Sequence, residues 1–331
     1  MKMIEEQMSE CRLCPRKCQV NRIQGQKGIC GQTDKVKVAR AGLHMWEEPC
    51  ISGKEGSGTV FFSGCTLRCV FCQNRDIAAG RSGKEISIER LSEIFLELME
   101  KGANNINLVT PTHYTRQIIK ALDIAKNQGM NLPIVYNTSG YEKTDTIKML
   151  EEYVDVYLPD FKYVSSDISG KYSGAKDYYI YAKDALSEMV KQTGKPKFDE
   201  RRIMTKGVIV RHLILPGCSE DSKAVIEYLY NTYGDDIYIS IMNQYTPFGM
   251  ENYPELNRKV TTYEYNKVVN YAIELGITNG FIQEGSAASE SFIPDFDTFT
   301  KRPELWRHLE EGEFKGYDLK GNYFDEETYF K

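Results

Sequence analysis

The sequence predicts an α/β fold built on a mostly parallel sheet, with its functional residues at one end of that sheet. Three observations predict it. From Gly58 onward, short apolar runs alternate with amphipathic stretches of helical period. The apolar runs are continuous rather than strictly alternating, as expected of parallel strands buried on both faces. A cluster of three cysteines directly follows the first run, on the loop that leaves a strand at its C-terminal end. Such βα units joined by short loops give right-handed crossovers, and six or seven of them can close partly into a barrel. Periodicity alone leaves an open doubly wound sheet as the alternative.

Residues 1–56 form a separate cysteine- and glycine-rich element, in which Val36–Met45 is a strand leading into the barrel. Residues 57–285 are the barrel. Its expected strands are Thr59–Ser63, Asn105–Thr110, Pro133–Asn137, Val154–Leu158, Val208–Leu215, Ile237–Met242 and Phe281–Gln283. Between them, Ser87 is placed to cap a helix over Ile88–Lys101, with Glu89 and Glu93 near its positive end. Tyr114–Gln128 stops at Gly129, and Thr144–Tyr153, Asp184–Gly194, Asp221–Tyr230 and Thr262–Gly276 complete the helical set. Residues 286–331 carry too many aromatics for disorder and read as an extension packed over the barrel.

The formal net charge of −5 argues against general nucleic-acid binding, because phosphate recognition needs basic patches. No apolar run reaches membrane-spanning length. Met1–Cys11 is polar and acidic and lacks the apolar core of a secretory signal, so a cytoplasmic protein is expected. Nine cysteines in a chain of 331 residues do not read as the disulfide framework of a small secreted domain. Clustered as they are, they favour metal or iron–sulfur ligation. Two clusters account for seven, and Cys50 and Cys218 remain as plain thiols.

The first cluster is Cys65-Thr66-Leu67-Arg68-Cys69-Val70-Phe71-Cys72. Three thiolates at this spacing hold three corners of a four-iron four-sulfur (4Fe-4S) cube and leave one iron open to a small molecule. The alternative is a structural zinc site completed by a fourth ligand such as Cys50. The second cluster is Cys11, Cys14, Cys18 and Cys30, with Lys and Arg nearby to lower thiol pKa values. Four thiolates suit a structural zinc knuckle, the preferred reading, or a second iron–sulfur cluster that relays electrons.

The cysteine triplet and its flanks, Gly56 to Asn74, resemble the entry segment of the pyruvate formate-lyase activating enzymes of the radical S-adenosylmethionine (SAM) superfamily. Further segments are similar: Asn107–Tyr114, Tyr136–Tyr141, Tyr157–Lys162, Val210–Gly217 and Phe281–Gly285. Together they resemble the branch called PflX-like. The resemblance implies an incomplete (β/α)6 barrel, with a 4Fe-4S cluster on Cys65, Cys69 and Cys72 and SAM on its open iron. An electron from an external flavodoxin- or ferredoxin-class donor would cleave SAM to a 5′-deoxyadenosyl radical. That radical would take hydrogen from a substrate, possibly a glycyl or other residue of a protein or peptide, or from a small molecule. Phe71 would pack near the adenine.

The resemblance also assigns the other strand ends. Activating enzymes carry Gly-Gly-Glu at the end of the second strand to hold the SAM amino group. Here that position reads Val109-Thr110-Pro111-Thr112-His113, so Thr110 and Thr112 are the hydroxyl candidates. Asn137 and Ser139 fall where the family touches the ribose and methionine parts of SAM, and Asp160 and Lys162 form an Asp-x-Lys pair at the fourth strand end. His113, Lys162 and Glu284 are the candidates for catalysis. Arg211 and His212 alternate along one strand, so at most one points inward. Glu47 and Glu48 precede the barrel, and the bland alternative for the pair is a solvated turn. The rival function is a non-catalytic iron–sulfur or zinc protein acting as redox sensor or scaffold; a sulfur-inserting radical enzyme is a second rival.

Overall fold

A computed structural model describes residues 8–283. The expected extension 286–331 and Glu284 lie outside the described residues. The strands are β1 (Val36–His44), β2 (Ser57–Phe62), β3 (Lys84–Ile86), β4 (Ile106–Val109), β5 (Ile134–Thr138), β6 (Val156–Pro159), β7 (Lys197–Phe198), β8 (Met204–Leu213), β9 (Tyr238–Met242) and β10 (Gly280–Ile282). They form one sheet in the order β10-β9-β8-β6-β5-β4-β2-β1-β3, with β7 pairing on the side of β8. Seven strands from β2 to β10 run parallel. Each overlaps one of the seven expected apolar runs.

The strand order settles the choice between barrel and doubly wound sheet. A doubly wound sheet reverses its direction of growth at a switch point. Here each new parallel strand is added on the same side, from β2 outward to β10. Among the described residues no pairing joins the two ends, so the barrel is incomplete. The segment expected as a strand leading into the barrel is itself part of the sheet. β1 runs antiparallel to β2, and β3 is antiparallel to β1. Residues 36–44 therefore extend the sheet past β2.

Local chemistry explains the helices that cover it. The Ser87 hydroxyl accepts the backbone N–H of Arg90 and starts the helix Ile88–Glu100. That helix buries Leu91, Ile94, Phe95 and Leu98 at helical spacing against the sheet. Contact is close enough that β2 needs a glycine. A methyl group on Gly58 would stand 2.7 Å from the Asn105 carbonyl oxygen and 3.2 Å from Leu98 Cβ. Thr261 and Glu264 form a reciprocal capping box at the start of Thr262–Glu274. No described helix is long and apolar enough to cross a membrane.

Phe95 is fully buried in the main core. Phe95→Ala is expected to lower stability by about 3–5 kcal/mol in urea denaturation, from lost transfer energy plus the cavity left behind. Ile180→Ala, on a side chain more than half exposed, is expected to change it by less than about 0.5 kcal/mol.

Candidate active site

The parallel strands deliver their C-terminal ends to one cavity of about 630 Å³. Cys65, Cys69 and Cys72 line one side of it, on the loop that follows β2. The Arg68 backbone N–H points at Cys65 Sγ at 3.5 Å, and the Ser173 hydroxyl donates to Cys69 Sγ at 3.1 Å. Burial pushes Cys72 up to about 12, and Cys65 and Cys69 beside it add to the rise. Burial raises Cys65 too, with Cys69 adding to it. Buried thiols such as Cys65 and Cys72 resist ionisation until a cation shares their charge. This donor set therefore fits a positively charged metal group. Cys50 does not complete it. It packs with Ile51, Val135, Val156 and Met204 in a separate cluster and does not line the cavity, which removes the zinc alternative built on that residue.

A buried ionic network lies across the cavity from the cysteines. Arg211, on β8, is its centre. Its Nε donates to Asp160 at 3.1 Å, its Nη2 to the Asn137 side-chain oxygen at 2.6 Å, and its Nη1 lies 3.6 Å from Glu47. Lys162 Nζ is 2.7 Å from the other Asp160 oxygen. Burial opposes the charge on Asp160, but Lys162 and Arg211 outweigh it and hold this carboxyl below its ordinary range. Burial opposes the Lys162 ammonium as well, and Asp160 outweighs it, so Lys162 stays charged. Glu47 is held by the side-chain amides of Asn107 and Asn137, at 3.1 and 3.0 Å. Glu48, next to it, is buried and pushed up to about 7 by that burial.

The structure gathers most of the expected site residues and moves two of them. Phe71, Thr110, Asn137, Ser139, Asp160 and Lys162 all line the cavity. Phe71 is buried edge-on against Tyr172 and Tyr245. Thr110 has φ +58, an outlier for a β-branched residue. The left-handed turn is made here by threonine, at the position where activating enzymes carry Gly-Gly-Glu. Asn137 was expected to bond ribose, but both ends of its amide are engaged by Arg211 and Glu47.

Thr112 turns away from the cavity, and its hydroxyl donates to Glu142 at 2.5 Å. His113 also lies elsewhere. The chain enters a short 3-10 turn after β4, which aims the ring at the Ser63 carbonyl, 2.7 Å from Nε2. Burial drives its pKa down to about 3, so it stays neutral and structural. Of Arg211 and His212, only Arg211 faces the cavity; His212 Nδ1 meets the Phe161 carbonyl at 2.7 Å. Glu47, for which a solvated turn is the bland alternative, lines the cavity with Arg211, and no local sequence signal pairs the two.

The N-terminal cysteines fold into a separate knot beside this loop. Cys11 N–H donates to the Val20 carbonyl, and Gln19 N–H returns to the Cys11 carbonyl. Ile29 N–H approaches Cys18 Sγ at 3.4 Å. Burial pushes Cys14 up to about 12, against the Arg16 backbone N–H, which donates to its sulfur; Cys30 and Cys11 add to the rise. Burial raises Cys30 as well, with Cys11 and Cys18 adding. Among the described residues, no group of three ligating side chains is set for a single metal ion.

Comparison with known proteins places this geometry. The sequence description of the Radical SAM superfamily matches residues 59–229, and the chain belongs to that superfamily. Its relatives include an uncharacterized protein of Methanocaldococcus jannaschii, 28% identical over 276 residues, covering 79% of this chain and 74% of the relative. The pyruvate formate-lyase-activating enzyme of Clostridium pasteurianum is 28% identical over 185 residues, 52% of this chain and 67% of that enzyme. Among solved structures, Streptococcus suis SuiB bound to S-adenosylmethionine aligns with a TM-score of 0.45 at 13% identity. That alignment covers 70% of this chain and half the length of the SuiB chain. The protein is thus a radical SAM enzyme, similar over about half of its chain to pyruvate formate-lyase-activating enzymes.

One buried carboxyl near the strand ends gives a pH signature. Glu142 accepts the hydroxyls of Thr112 and Thr138, its second oxygen has no partner, and burial pushes it up to about 7. The folded state therefore holds a proton that the unfolded state loses at its ordinary 4.5, so this group's contribution falls as pH rises from about 4.5 to 7. Glu142→Gln keeps an oxygen for both hydroxyls and removes the titration. The variant is expected to gain stability relative to the wild type across that window, measured by urea denaturation at several pH values.

Proposed function

We propose that this chain binds SAM against a 4Fe-4S cluster on Cys65, Cys69 and Cys72, and takes hydrogen from a glycyl or other residue of a protein or peptide. The observation that carries the reading is the cysteine triplet on the β2 loop, facing a cavity of mixed polar and apolar lining at the parallel strand ends. Cys65, Cys69 and Cys72 would hold the cluster, and the cluster with SAM would supply one-electron radical chemistry there. The protein's own residues do the rest. The three thiols leave one corner open. Phe71 supplies an apolar wall, and Thr110 and Ser139 supply polar atoms at neighbouring strand ends.

Asp160, Lys162, Arg211 and Glu47 form fixed, mutually neutralised charges that need no rearrangement when a zwitterionic ligand enters. The relation to pyruvate formate-lyase-activating enzymes supports the peptide substrate. A one-electron donor of the flavodoxin or ferredoxin class and a cytoplasmic location accompany this reading, as does a metal on the N-terminal cysteines.

Replacing Cys65, Cys69 or Cys72 singly with Ala is expected to abolish 5′-deoxyadenosine formation by the reconstituted, dithionite-reduced protein. The fold, followed by circular dichroism, should persist. SAM cleavage at the wild-type rate in any of the three variants overturns the assignment. For the substrate, a deuterated glycyl peptide should transfer its label into 5′-deoxyadenosine; label transfer only from small molecules overturns the peptide reading.

A further inference from the structure

The two cysteine clusters are not independent modules. Arg16, between Cys14 and Cys18, reaches into the radical loop: its guanidinium donates to the carbonyls of Thr66 at 3.0 Å and Leu67 at 3.0 Å. The same guanidinium donates to the Ser173 carbonyl at 2.8 Å, and the Ser173 hydroxyl donates to Cys69 Sγ. Arg16 lies two residues after Cys14, so one residue joins the N-terminal knot to the residue whose hydroxyl bonds Cys69 Sγ. Contact is made in the other direction as well, since Arg68, beside Cys69, donates to the Ile29 carbonyl at 3.2 Å. A methyl on Gly64 would stand 2.6 Å from the Cys30 carbonyl oxygen. Gly64 precedes Cys65, so the Cα atoms of Cys30 and Cys65 are on the order of 10 Å apart.

We propose that Cys11, Cys14, Cys18 and Cys30 hold a second iron–sulfur cluster that passes electrons to the cluster on Cys65, Cys69 and Cys72, across a junction organised by Arg16. The proposal rests on the radical SAM reading. A structural zinc has no redox chemistry and needs only to fold residues 11–30. It gives no reason for one guanidinium to gather the carbonyls of the radical loop and to reach the residue that bonds Cys69. The position also suits entry of electrons. The radical cysteines open onto the cavity that SAM and substrate occupy, whereas Ile29, beside the N-terminal sulfurs, is 44% exposed.

The step balances as a pure electron transfer. A reduced one-electron flavin or iron–sulfur protein loses one electron, and the N-terminal cluster goes from the +2 to the +1 state. It returns to +2 as the radical cluster goes from +2 to +1. No bond or proton moves.

The test uses the full chain, reconstituted anaerobically with iron and sulfide. In the Cys65→Ala, Cys69→Ala, Cys72→Ala triple variant, about four iron and four sulfide per chain should remain, with an electron paramagnetic resonance signal after dithionite reduction. One zinc per chain, or no metal, overturns the proposal. The second arm follows reduction of the radical cluster by a reduced flavodoxin in rapid-freeze samples. Arg16→Gln, which keeps all nine cysteines, should slow this reduction at least about tenfold without changing iron content. An unchanged rate overturns the relay. If the radical SAM reading itself fails, the wild type makes no 5′-deoxyadenosine with dithionite, a result separate from either arm.

Discussion

One guanidinium ties together the end of the barrel where the chemistry is placed. Arg211 joins β8 to Asp160 after β6, to Asn137 in β5 and to Glu47 in the loop after β1. Each partner would be costly to bury alone, since an unpaired charge in a dry site loses several kcal/mol of solvation. Together they neutralise one another and fix four segments around the cavity. Lys162 extends the network to within electrostatic reach of Cys69, so the cation side of the site faces the sulfur side. The arrangement sets the shape and polarity of the cavity before any ligand arrives.

Strain and burial elsewhere serve the same end. Thr110 holds a left-handed backbone conformation at the β4 end, which costs on the order of 1–3 kcal/mol and persists only where surrounding contacts enforce it. Its N–H donates to the Asn137 carbonyl at 2.9 Å, so the turn is locked to the strand that carries the Arg211 network. Gly140, with φ +75, lies so near the Asp160 carbonyl oxygen that a methyl there would stand 2.1 Å from it. The β5 and β6 ends thus pack backbone to backbone, and this closeness brings Asn137 and Asp160 under one guanidinium.

Much of the fold is legible in the sequence because parallel strands buried on both faces are continuous apolar runs, and all seven appear as such. Their order is not a local property. The cysteine triplet is legible for the opposite reason: its chemistry is local, three ligands within eight residues. His113 shows where local reading fails. Its place after a strand end suggests the cavity, but the positive φ at Thr110 and the 3-10 turn that follows direct its ring to the Ser63 carbonyl. Glu47 fails in the other sense. Its partners Asn107, Asn137 and Arg211 are distant in sequence, and nothing near Glu47 announces them. The Ser173 contact to Cys69 and the Arg16 junction likewise exist only in three dimensions.

The central claim is that the open corner of a cluster on Cys65, Cys69 and Cys72 receives SAM in this cavity. Electron paramagnetic resonance of the dithionite-reduced cluster, recorded before and after SAM is added, tests it most directly. The account predicts that SAM changes the g-values of one 4Fe-4S signal, and that this SAM-responsive signal is lost from the Cys65→Ala, Cys69→Ala, Cys72→Ala variant, which keeps only a signal that SAM leaves unchanged. A spectrum that SAM leaves unchanged would contradict the account.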